Sequence, residues 1–492
     1  MFISSIPDVF TKEITDMITI TRRQAHGLRA IFRRSVLGIA HRGSVEPLVF
    51  QAESGQLCAR HRYAHLAIEH SCPVAWPSSG TVALPLDALT DLEGRDDSVV
   101  ALDPVSPEKT VVRWSDHGIP RSREYVVPRL PDTSTFPDMP TSWSEVPADL
   151  LTALAEATMT SAEDDTRYAL SCLLLKEGRN GHEVVATDGR QVLICGGFSF
   201  PWSGDVLIRR SPVFAARDLP RDQPWSIGRT ETHIALKCGP WTILLEVQTS
   251  ARFPRVDMVF PDPDAITSRL RIDPLDASFL SDALGRLPGS DAVNAPVTVD
   301  LNGRIAVRAR GSETDPTTEL VLSRSSYGGP QVRFQTNRDY LARAVRLGFA
   351  EVAIIDSESP IVCRNGRQAY AWQPLSADSA IPPSDDVTRI ESHQRQATRS
   401  HEPPPRTNPP MNERTKLEAP TRPTPDPASQ DPATTGLVGL IREAESLHEA
   451  LGEARTRSQK LIVALRRHRK QAKLMAATLN TLRQLRLQEV AE

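Results

Sequence analysis

Residues 17–375 of this 492-residue chain state one theme three times, at a spacing of roughly 120 residues: a short strand, an amphipathic helix, several strands, a second helix and more strands. The first helices are predicted in RRQAHGLRAIFRRSVLG from Arg22, PADLLTALAEATM from Pro147 and DPLDASFLSDALGRL from Asp273. The second are predicted in LPLDALTDLEG from Leu84, RSPVFAARDL from Arg210 and TNRDYLARAVRLG from Thr336. Each sets apolar residues at helical spacing, such as Leu28, Ile31 and Phe32, or Leu150, Leu151 and Leu154, and so packs one face on a sheet. Internal repetition is hard to obtain by accident. The spacing therefore predicts an α+β chain of three like domains, over 17–142, 143–263 and 264–377, behind an N-terminal extension of 1–16.

The formal charge of −3 argues against tight, charge-driven wrapping of nucleic acid, so a DNA partner is expected to be held by local basic patches or by topology. Cys58, Cys72, Cys172, Cys195, Cys238 and Cys363 are scattered, with no CxxC and no clustering with His, and read as buried thiols in a reducing compartment rather than disulfides or a metal site. The first residues, MFISSIPDVFTKEITD, lack the basic start and apolar core of a secretion signal. No apolar run approaches the ~20 residues of a membrane-spanning helix, and a cytoplasmic protein is expected.

From Ser376 onward prolines crowd in among Ser, Thr, Asp and Arg with almost no large apolar residue, so 378–433 is predicted to be a disordered Pro-rich linker. Beyond it, Leu440, Leu447, Leu451, Leu461, Leu465, Leu479 and Leu482 belong to a heptad seam, and 434–492 is predicted as a long helix or coiled coil, roughly 80 Å if continuous. The run Arg466-Arg467-His468-Arg469-Lys470 reads either as a DNA contact or as a solvated coil face.

The most specific wording lies in 167–194, RYALSCLLLKEGRNGHEVVATDGRQVLI: two strands, a short turn, and a Thr187-Asp188-Gly189 corner of the kind a tight turn needs. The pattern R-Y-x-L-x-x-x-L followed by V-A-T-D-G resembles the middle domain of the bacterial sliding clamp family, the β subunit of DNA polymerase III. Three further stretches are similar to that family in the same order: STFPDMPTSWSEVPADLLTALAEAT from Ser134, ARFPRVDMVFP from Ala251 and QAYAWQPL from Gln368.

The resemblance implies three clamp domains forming half of a head-to-tail homodimeric ring, no cofactor or metal, and duplex DNA, DNA polymerase III and the clamp loader as partners. It implies a DNA-facing set of Arg22, Arg23, Arg29, Arg33, Arg34, Arg209, Arg210, Arg338, Arg343 and Arg346. Tyr168 joins them, either against DNA or as a buried strand tyrosine. The acidic second helix, with Asp87, Asp91 and Glu93, interrupts a uniformly basic lining. A hydrophobic peptide pocket is implied at Leu170, Thr187, Gly189, Arg190, Gln191, Val192, Pro254, Val259, Phe260, Gln373, Pro374 and Leu375. Arg190-Gln191-Val192 stands where the family has His-Arg-Leu, and Gln373 where it has an apolar residue, so the pocket rim is expected to be more polar. The chain also continues past the family's usual end, and Gln484-Leu485-Arg486-Leu487 partly resembles a clamp-binding peptide able to dock in that pocket.

For catalysis the sequence offers no Gly-rich phosphate loop, no HExxH and no nucleophile elbow, and Asp188 reads as a turn cap rather than a catalytic acid. A non-catalytic processivity factor is expected. The alternative is a paralogue of the same fold that acts as an interaction scaffold through its C-terminal coil without encircling DNA.

Overall fold

The computed structural model describes residues 17–37, 45–74, 79–129, 132, 135–164, 169–178, 181–290, 294–312 and 314–392. The expected extension 1–16, Tyr168, the coil at 434–492 and most of the linker lie outside them.

The first repeat comprises β1 (Ile18–Thr21), α1 (Arg22–Val36), β2 (Leu48–Glu53), β3 (Gln56–Tyr63), β4 (Leu66–Pro73), β5 (Gly80–Leu84), α2 (Leu89–Leu92), β6 (Val99–Ser106), β7 (Lys109–Asp116) and β8 (Ile119–Val126). The second comprises β9 (Ser144–Val146), α3 (Asp149–Thr160), β10 (Cys172–Gly178), β11 (Gly181–Thr187), β12 (Gln191–Phe198), β13 (Val206–Arg209), β14 (Trp225–Arg229), β15 (His233–Cys238) and β16 (Trp241–Glu246). In the third are β17 (Ser268–Arg271), α4 (Pro274–Ala283), β18 (Pro296–Asn302), β19 (Arg304–Ala309), β20 (Thr317–Val321), β21 (Ser326–Gly328), β22 (Val332–Asn337), α5 (Arg338–Arg346), β23 (Glu351–Ile354), β24 (Ile361–Asn365) and β25 (Gln368–Trp372). A final strand, β26 (Val387–Glu391), follows the third repeat.

Four sheets result. Two of them cross the boundaries between repeats, in the orders β5-β2-β3-β4-β16-β15-β14-β9 and β13-β10-β11-β12-β25-β24-β23-β17-β21. The other two, β1-β6-β7-β8 and β22-β18-β19-β20-β26, stand at the two ends of the series. The strands follow from alternation: along β3, Leu57, Ala59, His61 and Tyr63 are buried while the residues between them are not. α1 begins where Thr21 and Gln24 cap it reciprocally, the Thr21 hydroxyl accepting from the Gln24 amide at 3.1 Å and the Gln24 side chain from the Thr21 amide at 2.8 Å. It then turns Ala25, Leu28, Ile31 and Phe32 into the core under the sheets.

Two elements depart from the expected series. Residues 210–219 form only a single 3-10 turn, Pro212–Ala215, because Ala216 leaves the helical region at ψ 127; Val213 and Phe214 are still fully buried there. Within the stretch expected to be linker from 378, a 3-10 turn at Ala377–Ser379 and β26 carry regular structure to the last described residues, ending at Ser392. Val387, Thr388 and Ile390 are β-branched, but the strand is short and buries no side chain fully; it forms because β20 offers it an edge.

Candidate functional site

β12 separates two faces of the second repeat. Leu193 and Cys195 point into the main core, whereas Val192 and Ile194 belong to a separate apolar cluster on the opposite face. That cluster has Leu174, Val185, Val192 and Val256 as its floor, with Ile194, Leu207, Phe253, Val259 and Phe260 half-buried around it. Its border is charged: Lys176 Nζ lies 2.6 Å from Asp257, and the Arg364 guanidinium sits 5.1 Å from the Phe260 ring centre. Met258 projects outward and is 88% exposed.

The Thr187-Asp188-Gly189 corner closes one end of this face. Asp188 Oδ1 accepts from the amides of Arg190 and Gln191 at 2.8 and 2.9 Å, and the Thr187 hydroxyl accepts from the Gly189 amide at 3.0 Å. Gly189 has φ +90°, which a side chain would strain, and Leu170 is its neighbour. The Gln373 amide donates to the Arg190 carbonyl at 2.9 Å and brings the end of β25 alongside. Pro374 is buried there, Leu375 is half-buried, and Pro254 lies half-buried beside Phe253. The structure therefore brings Leu170, Thr187, Gly189, Arg190 and Gln373 to the corner, Val192, Val259 and Phe260 to the apolar face, and carries Pro374 and Leu375 on toward β22, where the Leu375 amide donates to the Gln335 carbonyl.

Gln191 is the exception, because it is not at the rim. It shares the inward face of β12 with Leu193, is 7% exposed, accepts a 2.7 Å hydrogen bond from the Tyr370 hydroxyl and donates to Asp188 at 2.9 Å. Burial pushes the Tyr370 hydroxyl well above its ordinary pKa and keeps it a donor. The extra rim polarity expected from this substitution is spent inside the fold. Leu174, Val185, Ile194, Leu207, Phe253 and Val256 belong to this apolar face and were not among the residues the family motif named; the period-two apolar pattern of β10 to β12 carried the signal.

The helices form a row. α2 packs on α1, α1 on the Pro212–Ala215 turn, that turn on α3, and α5 on α4. Arg34 bridges the first two repeats by donating to the Ala215 carbonyl at 3.1 Å, and Arg343 bridges the second and third by donating to Glu156 Oε2 at 2.8 Å.

The ten described arginines of the expected DNA face divide by burial. Arg22 is buried and donates to Asp116 at 2.8 Å and to the Glu93 carbonyl. Arg338, 1% exposed, donates to the carbonyls of Leu284, Leu287, Pro288, Ala295 and Pro296. Arg343 is buried against Glu156. These three guanidiniums are themselves buried and tie distant parts of the chain together, Arg338 through backbone carbonyls and Arg22 and Arg343 through half-exposed carboxylates, so they do not line a surface.

Arg23 is exposed and paired with Asp97, Arg29 is half-buried against Glu93, Arg34 is half-buried, and Arg33 and Arg346 are exposed. Arg209 and Arg210 are half-buried on and just after β13; Arg209 donates to the Ser171 hydroxyl at 2.6 Å. The acidic second helix partly neutralises α1, with Glu93 on Arg29 and His26, while Asp91 is taken by Arg123 and Tyr125. Among the described residues no group of three His, Cys, Asp or Glu side chains could hold a metal ion, and no helix is long and apolar enough to cross a membrane.

No protein-family model and no curated protein matches the sequence. Solved structures do match in fold. The DNA polymerase III subunit beta from Pseudomonas aeruginosa superposes with a TM-score of 0.60 at 17% identity, over 73% of this chain and 100% of that one. The DNA polymerase sliding clamp from Bacillus subtilis gives 0.62 at 14% identity, over 73% and 99%. The sliding clamp from Bartonella birtlesii, solved bound to griselimycin, gives 0.60 at 19% identity, over 74% and 100%. The fold is that of the bacterial sliding clamps.

Proposed function

We propose that this chain, built on the fold of the bacterial sliding clamps, is a processivity clamp: two copies close head to tail around duplex DNA and tether DNA polymerase and other replication or repair proteins through apolar peptides laid in the Val192–Phe260 groove. The observation that carries this reading is the repeated seam. β4 pairs antiparallel with β16, and β12 with β25, so each repeat joins the next through one continuous sheet. The same join remains to be made between the third repeat and a first repeat, and a second copy supplies it at both ends of the series.

Retention by topology suits a chain of charge −3. A closed ring needs little affinity per contact, and the helix row offers Arg23, Arg29, Arg33, Arg34 and Arg346, with Arg209 and Arg210 near it, as weak phosphate contacts. The apolar face around Val192 supports a peptide site through its composition: an apolar floor, half-buried aromatics and a few polar border groups able to set register. No catalytic step is assigned to the chain, and a reducing cytoplasm accommodates its six cysteines.

The test is retention on DNA. The full chain, loaded by the clamp loader of its own cell onto a nicked plasmid, is expected to survive a high-salt wash and to fall off when the plasmid is linearised. Loss from both forms alike, or retention on both, contradicts encirclement.

A second reading, an interaction scaffold working through residues 434–492, is favoured by one observation: β26 covers the edge of β20. A chain that stays a monomer in its first 392 residues, or associates only through the coil, supports that reading instead.

A further inference from the structure

The two seams obey one register rule. The third residue of β16, Ile243, pairs with Ile68 of β4, and the third residue of β25, Tyr370, pairs with Leu193 of β12. Ile68 and Leu193 both face the main core, and the residue of β20 that does so is Leu320, the fourth of that strand; the corresponding last strand of a first repeat is β8, whose third residue is Arg121. Pairing of Arg121 with Leu320 sets Arg123 opposite Thr318. β8 is ready for such a join: it is the outer strand of its sheet, eight residues long, with Ile119 and Val126 exposed by 55% and 61%.

The β20 edge, however, is occupied. β26 lies on it through five register pairs, from Thr317 with Val387 to Val321 with Glu391, and it is the one parallel pairing among the described strands. The chain reaches this place by firm steps. The Leu375 amide donates to the Gln335 carbonyl at 2.8 Å, the Gln335 side chain donates to the Ser379 carbonyl at 2.7 Å, and the amide of buried Ile381 donates to the Thr298 hydroxyl at 2.9 Å.

After Ile381 the hold weakens. Residues 382–386 are all exposed, and β26 itself buries none of its five side chains. It is fixed by its ladder, by Arg389 on Glu319 at 2.8 Å, and by Ser392 at its end. A strand with this hinge and so little buried area can leave its edge without disturbing the core.

Resting on the ring reading above, we propose that β26 is a removable cover on the ring-closing edge: while it pairs with β20 it excludes β8 of a second copy, and ring closure requires its displacement. One strand edge accepts one partner, so covering and closing compete. The cover is tethered and acts at an effective concentration on the order of millimolar, against micromolar for a second copy.

The test uses the full chain carrying Arg123→Cys and Thr318→Cys, whose seam disulfide gives a covalent dimer. Each single variant serves as a control against the native cysteines. Removing residues 387–391, or in a second version introducing Ile390→Pro, is expected to raise the covalent-dimer yield about tenfold or more at micromolar chain. Equal yields with and without the cover overturn the proposal and leave the ring reading standing. Absence of the dimer in every background overturns both. A cross-link between Arg123→Cys and Thr388→Cys in the otherwise intact chain also overturns the proposal, because β26 would then be a strand of the interface itself.

Discussion

Arg389 Nε lies 2.8 Å from Glu319 Oε1, so a residue beyond the third repeat completes a charge cluster inside it. Glu319 is 1% exposed and Asp300 3%, and both are held by the buried Arg308, at 2.7 and 2.5 Å. Burial pushes the Glu319 carboxyl up, but the hydrogen bonds from Arg389 and Arg308 outweigh it and leave the pKa below its ordinary value. The two arginines are not equivalent, since Arg389 is one-third exposed and Arg308 is not.

Substituting Arg308→Ala is therefore expected to cost about 3 kcal/mol, because it removes the buried partner that two buried carboxylates share and leaves Glu319 to Arg389 and Asp300 to Arg333, both more exposed. Arg389→Ala is expected to cost roughly 1 kcal/mol or less and to act locally. Denaturant unfolding measures both losses, and amide exchange confined to 387–391 identifies the second.

Arg338→Lys is expected to destabilise the third repeat by roughly 3 kcal/mol, since one ammonium cannot serve five carbonyls that a planar guanidinium reaches together. Thermal unfolding checks this, and an unchanged transition contradicts the structural role assigned to the residue.

Arg33→Glu with Arg346→Glu alters exposed positions of the helix row and is expected to leave stability within about 0.5 kcal/mol. DNA affinity should fall in a salt-dependent way, with the slope of log K against log salt reduced by about one per arginine. Fluorescence anisotropy at several salt concentrations measures it.

Phe260→Ala removes a half-buried aromatic from the groove and is expected to weaken a clamp-binding peptide of the Gln-Leu-spacer-Leu-Phe type about tenfold. Gln191→Ala should instead lower stability, because it strands the buried Tyr370 hydroxyl, and should change peptide affinity little. Peptide titration and unfolding on the two variants separate the roles.

Burial lowers the pKa of His61 to about 4, while its Nε2 rests 3.1 Å from the Glu46 carbonyl. The unfolded chain binds more protons than the folded one between that value and the ordinary value of 6.5, so stability falls as pH falls through this window. His65 and His70 shift in the same direction. His61→Gln is expected to shrink the stability difference between about pH 7 and about pH 5 by roughly 2 kcal/mol, measured by denaturant unfolding at the two values.

What could be read beforehand was what is written locally. The repeat survives in helix faces such as Leu28, Ile31 and Phe32, and the Thr187-Asp188-Gly189 corner announces itself through turn chemistry. Gln191 misled because facing in a strand depends on register, and a one-residue shift reverses it. Arg338 and Arg343 misled because an arginine on an amphipathic helix reads as solvated unless its buried acceptors, far away in sequence, are known. β26 was hidden for the same reason, since its pairing partner lies 70 residues earlier in the chain.

The most direct measurement of the central claim is imaging of the full-chain covalent dimer joined through Arg123→Cys and Thr318→Cys in the background lacking 387–391. The account predicts closed rings of two chains with a central hole that admits duplex DNA. Open arcs, or compact particles without a hole, would contradict it.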